Sequence, residues 1–238
     1  MKSIQMIFDK LDKWRNLPDY QLERRADIFF SLYLCDVLSK NTGQDINPTL
    51  IPEFPLKREN NNGSCKVDYL AFNTDLTRSY LIEIKTDFAS LKIEQLQTYL
   101  NARADGIHKK MEDIFFDIYK ATKEKRKYQH LIKLVEQVSL GIEPDKNDKF
   151  LSYRCEAIKK FAKTGKPEIY LVIPSLPTNN TLSKKVRELI KFIDRNKIMI
   201  KCIDFAEYRE TVLSFNDELS QTFADSLSEW YQVKAGTK

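Results

Sequence analysis

KVDYLAFNTDLTRSYLIEIKTD, residues 66–87, is the stretch on which the fold turns. Two apolar runs, KVDYLAFN (66–73) and RSYLIEIKTD (78–87), flank a short polar segment around Thr74 to Thr77, the pattern of two β-strands closed into a hairpin. A hairpin centred between Asp75 and Leu76 pairs residues whose numbers sum to 151, which sets Asp68 opposite Glu83 on one face. Side chains alternate along a strand, so Glu83 and Lys85 share that face while Ile82 and Ile84 take the other. Three charged groups therefore converge on strands whose other residues, Val67, Tyr69, Leu70, Phe72 and Leu81 among them, are largely apolar.

Two carboxylates held against apolar neighbours without compensation would cost on the order of several kcal/mol. A divalent cation supplies that compensation. Carboxylate oxygens suit Mg²⁺, which keeps several waters and is commonly held by one or two carboxylates plus substrate phosphate oxygens. Such an ion acidifies a water and polarises a phosphoryl group, and a neighbouring lysine orients the water or stabilises developing negative charge. Asp68, Glu83 and Lys85 are thus the residue types that phosphodiester hydrolysis requires, at a spacing that brings them together.

Working outward, Leu22, Ala26, Phe29, Phe30, Tyr33, Leu34, Val37 and Leu38 follow helical spacing, with a helix start expected near Pro18 and Asp19. NTGQDINP (41–48) breaks this helix. The prolines of LIPEFPLKR (50–58) suggest an edge or irregular strand. After the hairpin, SLKIEQLQTYLNARA (90–104) reads as a helix carrying Gln95 and Tyr99 at i, i+4 on one face. Two charged helical stretches follow, residues 106–138 and FLSYRCEAIKKFAK (150–163). PEIYLVIP (167–174) and IMIKCIDF (198–205) are strand candidates, separated by a helix at about 183–195 and followed by another near Asp217 to Val233. The order predicts an α/β (α+β) chain: one domain over 1–238, a mixed central sheet flanked by helices, and a helical insertion at about 105–166.

A chain of 238 residues, 42% apolar, can bury a sizeable core without disulfides or a structural metal. Cys35, Cys65, Cys155 and Cys202 form no C-x-x-C pair, and His108 and His130 fall in no metal-ligand pattern, so any catalytic ion must be held mainly by carboxylates. No stretch approaches the roughly 18 to 20 apolar residues of a membrane span, and MKSIQMIFDKLDKWRN lacks a long apolar core; a soluble, cytoplasmic protein is expected. The net charge is +5, concentrated in runs such as KATKEKRK (120–127), KKFAKTGK (159–166) and KKVRELIKFIDRNK (184–197). Such runs fit phosphate binding, although solvated helix faces carry them too.

At VDYL (67–70) and EIK (83–85) the chain resembles the PD-(D/E)XK nucleases, whose hallmark is an Asp on one strand and Glu-x-Lys on the next. Val67 stands where the proline naming the motif would be. Gln95 and Tyr99 further resemble the Q-x-x-x-Y signature of the RecB-like branch. The resemblance implies a restriction-endonuclease-like sheet with Asp68 and Glu83 as ligands of Mg²⁺ (or Mn²⁺), a further contribution from the Ile84 carbonyl, and Lys85 as the catalytic lysine. It also implies that Gln95 and Tyr99 reach toward substrate or the active-site loop, and that a first-helix acid, Glu23 with Asp27 as competitor, joins the metal site. The expected partner is nucleic acid, DNA in preference to RNA, in bacterial defence or in repair, with pairing into a homodimer if both strands of a duplex are cut. The iron–sulfur cysteines that some RecB-like members bear are absent. The other class of reading is a catalytically silent binding or assembly subunit that meets a protein partner through 105–166.

Overall fold

The computed structural model describes residues 3–14, 21–57, 64–119, 122–140, 159–175 and 183–231. Among them run α1 (Ile4–Trp14), α2 (Leu22–Thr42), β1 (Ile51–Lys57), β2 (Ser64–Phe72), β3 (Ser79–Ile84), α3 (Ile93–Asp105), α4 (Ile107–Glu112), α5 (Lys125–Leu140), β4 (Glu168–Ile173), α6 (Lys184–Arg195), β5 (Ile200–Asp204), α7 (Phe205–Leu213) and α8 (Glu218–Tyr231). The strands form one five-stranded mixed sheet in the order β1-β2-β3-β4-β5, so the chain is of the mixed α/β class. The expected strands all occur. Two helices, α1 and α7, come in addition to the expected order. The expected helix start at Pro18 and Asp19, and most of the stretch 150–163, lie outside the described residues.

One domain is the expectation from sequence; the residues group into two compact units, Met1–Gln44 with Ile84–Ile93 and Tyr170–Lys238, and Asp45–Glu83 with Glu94–Ile169. In the first, α2 buries Leu22, Ala26, Phe30, Tyr33, Leu34, Val37 and Leu38, the stripe that its spacing predicts. Phe30 is the centre of an aromatic cluster, with the rings of Phe205, Tyr208 and Phe223 at 5.4, 5.3 and 5.3 Å. The polar tips at its margin are satisfied: Trp230 Nε1 donates to Asp12 Oδ1 at 2.7 Å, and the Tyr208 hydroxyl to the Phe30 carbonyl at 2.5 Å. Helix α2 ends at Gly43, whose φ of 64° lets its N–H reach the Ser39 carbonyl at 2.9 Å.

The second unit contains β1, β2 and most of β3, paired antiparallel. Tyr69 faces Ile82, Leu70 faces Leu81, Ala71 faces Tyr80 and Phe72 faces Ser79, the register that a hairpin centred between Asp75 and Leu76 requires. The turn is held by Asn73, whose side-chain oxygen accepts from Arg78 N–H at 2.8 Å, and by Asp75, which accepts from the Thr77 hydroxyl at 2.7 Å. All six residues of β3 are buried, which explains why its apolar run is nearly continuous. Strand β1 is irregular, as its prolines suggest: Glu53 takes a left-handed φ of 52°, and it is skipped in an otherwise constant pairing with β2.

Candidate active site

The β2–β3 pairing runs as far as Tyr69 opposite Ile82, and Asp68 and Glu83 are the next residue on each strand. Asp68 is half-buried, and Glu83 is 1% exposed on a strand of apolar neighbours. Burial at that depth requires every lone pair that water would have served to find a protein donor.

Helix α3 supplies those donors. Gln95 and Tyr99, one turn apart, both turn toward Glu83 rather than outward. The Gln95 amide donates to Glu83 Oε1 at 2.6 Å and to the Tyr99 oxygen at 2.6 Å, while the Tyr99 hydroxyl lies 2.5 Å from Glu83 Oε2 and 3.1 Å from the Lys66 carbonyl. A phenol has one proton, and the shorter distance makes the carboxylate its main acceptor. The three side chains close a ring that fixes both oxygens of Glu83. Burial, then the neighbouring Glu83 charge and its hydrogen bond, push the Tyr99 phenol well above its usual 10.0, so it stays a donor at neutral pH.

Lys85 follows two residues on. Its N–H donates to the Val172 carbonyl at 2.8 Å, which continues the strand past Ile84, and its side chain is 9% exposed. The ammonium lies 3.3 and 3.4 Å from the two oxygens of Glu23, on the first turn of α2. These are long for charge-assisted bonds. Glu23 is half-buried whereas Asp27 is exposed, so of the two candidate acids on α2 it is Glu23 that turns inward, toward Lys85. Sequence carries no signal for that pairing, because the partners are 62 residues apart. The grip of Gln95 and Tyr99 on Glu83 is foreshadowed by their shared helix face and by their resemblance to the Q-x-x-x-Y signature, neither of which names Glu83 as the partner.

Two groupings thus arise: Glu83 with Gln95 and Tyr99, beside Asp68, and Lys85 with Glu23. They are joined covalently through Ile84, which is buried at the end of β3. Among the described residues no group of three or more His, Cys, Asp or Glu side chains stands close enough to hold an ion. Asp68 and Glu83 are hard-oxygen donors of the type that Mg²⁺ takes, one or two protein carboxylates being a common protein share of its shell. His108 is half-buried and His130 exposed; Cys35, Cys65 and Cys202 are reduced thiols, with Cys35 and Cys202 pushed up to about 11, mainly by burial. None of these belongs to the site. No helix among the described residues is long and apolar enough to cross a membrane.

No family model, curated protein or solved structure matches this chain.

Proposed function

We propose that the chain is a metal-dependent nuclease of the PD-(D/E)XK superfamily, of its RecB-like branch, with a restriction-endonuclease-like sheet. The observation that carries the reading is a buried carboxylate, Glu83, clamped at both oxygens by the Gln95 and Tyr99 side chains, with Asp68 on the strand paired to its own. A clamp of this kind fixes an acid's position in advance, which is what a ligand must have if its geometry is to serve catalysis. Asp68 and Glu83 would hold Mg²⁺ or Mn²⁺ with help from the Ile84 carbonyl, and the ion would supply an acidified water and a polarised phosphoryl group. Lys85 neutralises charge on the attacked phosphate, and Glu23 holds its ammonium until substrate competes for it. DNA is preferred to RNA on the strength of the resemblance, since no residue here is assigned to a 2′-hydroxyl.

Plasmid or oligonucleotide cleavage in Mg²⁺ is expected to stop in EDTA, and to fall about a hundredfold or more in Asp68→Ala, Glu83→Ala and Lys85→Ala proteins that remain folded. Undiminished cleavage in all three variants would end this reading.

One observation favours a catalytically silent subunit: both Glu83 oxygens and the Lys85 ammonium already have partners within the protein, a set that is satisfied without an ion. Titration calorimetry with Mn²⁺ separates the two. Heat of binding that disappears in Asp68→Ala supports the nuclease; nucleic-acid binding with no ion uptake supports the silent subunit, with residues 105–166 as its contact surface.

A further inference from the structure

A groove of about 430 Å³ opens within the second unit, where the N-terminal half of α5 packs beside β1. Its apolar wall is formed by Leu131, Leu134 and the ring of Tyr128 from one face of α5, opposed by Pro52 and Pro55 of β1. The three helix residues are half-buried, so apolar surface is left open there. The volume sits in the lower part of the roughly 300–1,000 Å³ typical of small-ligand pockets and suits one nucleoside-sized group. It is too small for a packed helix.

The rim is charged, two lysines against two glutamates, and its excess of cations comes from the start of α5 beside it. Lys66 and Lys127 line it, each ion-paired at the surface, to Glu53 at 2.8 Å and to Glu124 at 2.9 Å. Pairs this exposed contribute little and exchange readily for a phosphate oxygen. Residues 123–127 at the start of α5 are all exposed and carry four cations against one carboxylate, a local field suited to a polyanion. Position matters as much as charge. Lys66 lies two residues before Asp68 on β2, so their side chains share a face about 7 Å apart along the strand. That is roughly the reach of one nucleotide of an extended strand. The left-handed Glu53, skipped in the ladder opposite Asp68, turns its carboxylate onto Lys66.

We infer that this groove receives one unstacked nucleotide next to the scissile phosphate, its base against Tyr128 and the leucines and its phosphates toward Lys66 and Lys127. That the neighbouring phosphate is the one cleaved rests on the nuclease reading; binding of the nucleotide in the groove does not. An aromatic side chain that takes a base face is worth about tenfold or more in single-strand affinity. A paired base cannot enter without being unstacked, so the groove makes the protein prefer single-stranded or frayed nucleic acid.

The test uses the full chain in EDTA, where no cleavage occurs, and reads fluorescence anisotropy with a labelled 15-nucleotide oligo-dT and a blunt duplex of equal length. Oligo-dT is expected to bind more tightly than duplex. Tyr128→Leu should weaken oligo-dT binding about tenfold, Tyr128→Phe should leave it near wild type, and Lys66→Ala with Lys127→Ala should lower both affinity and its salt dependence. Tyr128 is half-buried at a groove wall, and thermal melts of each variant verify folding. Equal binding of the two probes, unchanged binding by Tyr128→Leu, or absence of oligo-dT binding overturns the inference. So does capture of labelled poly-glutamate that is lost in the lysine variants while oligo-dT binding persists, which would make the occupant an acidic peptide. Cleavage in Mg²⁺ is scored separately: a wild-type protein that cuts while Tyr128→Leu binds normally keeps the nuclease and loses the groove, and the reverse pattern keeps the groove and loses the nuclease.

Discussion

Tyr99 shows how much of a site can rest on one proton. Its hydroxyl is the donor to Glu83 Oε2, and Tyr99→Phe would leave that buried oxygen short of a partner. A loss of about 1–3 kcal/mol in stability is expected, read from denaturant midpoints. The pH response has a definite sign. The phenol is raised well above 10.0 in the folded chain, while in the unfolded chain it ionises near 10, so above that pH the folded form binds the extra proton. Its stabilisation is complete below about pH 10 and declines as pH rises through and beyond it. Between about pH 9 and pH 11 the melting temperature of the wild type should therefore fall more steeply than that of Tyr99→Phe, and parallel curves would remove Tyr99 as the cause. Register within one hairpin was legible in advance, because a symmetric turn alone sets Tyr69 opposite Ile82 and Leu70 opposite Leu81. Contacts such as Lys85 with Glu23 were not, since only tertiary packing brings α2 to that lysine.

Among the elements, those with long periodic patterns are readable and those announced by a cap alone are easily passed over. Helix α7 is the second kind. Asp204 closes β5 and its Oδ1 accepts from Glu207 N–H at 2.8 Å, a D-x-x-E start placed directly after an apolar strand. Reading Phe205 as the strand's last residue hides it. Asp204→Ala should cost about 1 kcal/mol and lower the melting temperature by about 2–4 °C. Differential scanning calorimetry decides; an unchanged midpoint would mean that burial of Phe205, Tyr208 and Val212, and not the cap, holds the helix. Helix α1 was hidden differently: only Phe8 and Leu11 are buried, too few in a short segment to outweigh its charged residues. The insertion region is likewise only partly a run of α-helix, for a π-helical stretch at Asp113–Ile118 interrupts the spacing on which periodicity depends.

Taken whole, the chain groups into two compact units that no Gly/Ser-rich or Pro-rich linker separates. Of the four boundaries one falls in the polar segment between α2 and β1, and the others fall inside β3, at the start of α3 and inside β4, where no change of composition announces them. The ion expected at Asp68 and Glu83 should act on the whole protein through mass action, since it binds the folded chain and not the unfolded one. Mn²⁺ or Mg²⁺ near ten times its dissociation constant is expected to raise the melting temperature by about 3 °C, and Asp68→Ala to abolish the rise. Equal shifts in both proteins would mean that the ion acts elsewhere. The outermost strand, finally, has a bearing on how copies of this protein behave toward one another. β1 forms one margin of the sheet, and Pro52 and Pro55 offer no N–H there, with the left-handed Glu53 between them. A margin so interrupted is a poor template for a stray strand, so crowding in a concentrated solution should not readily extend the sheet from chain to chain into an aggregate.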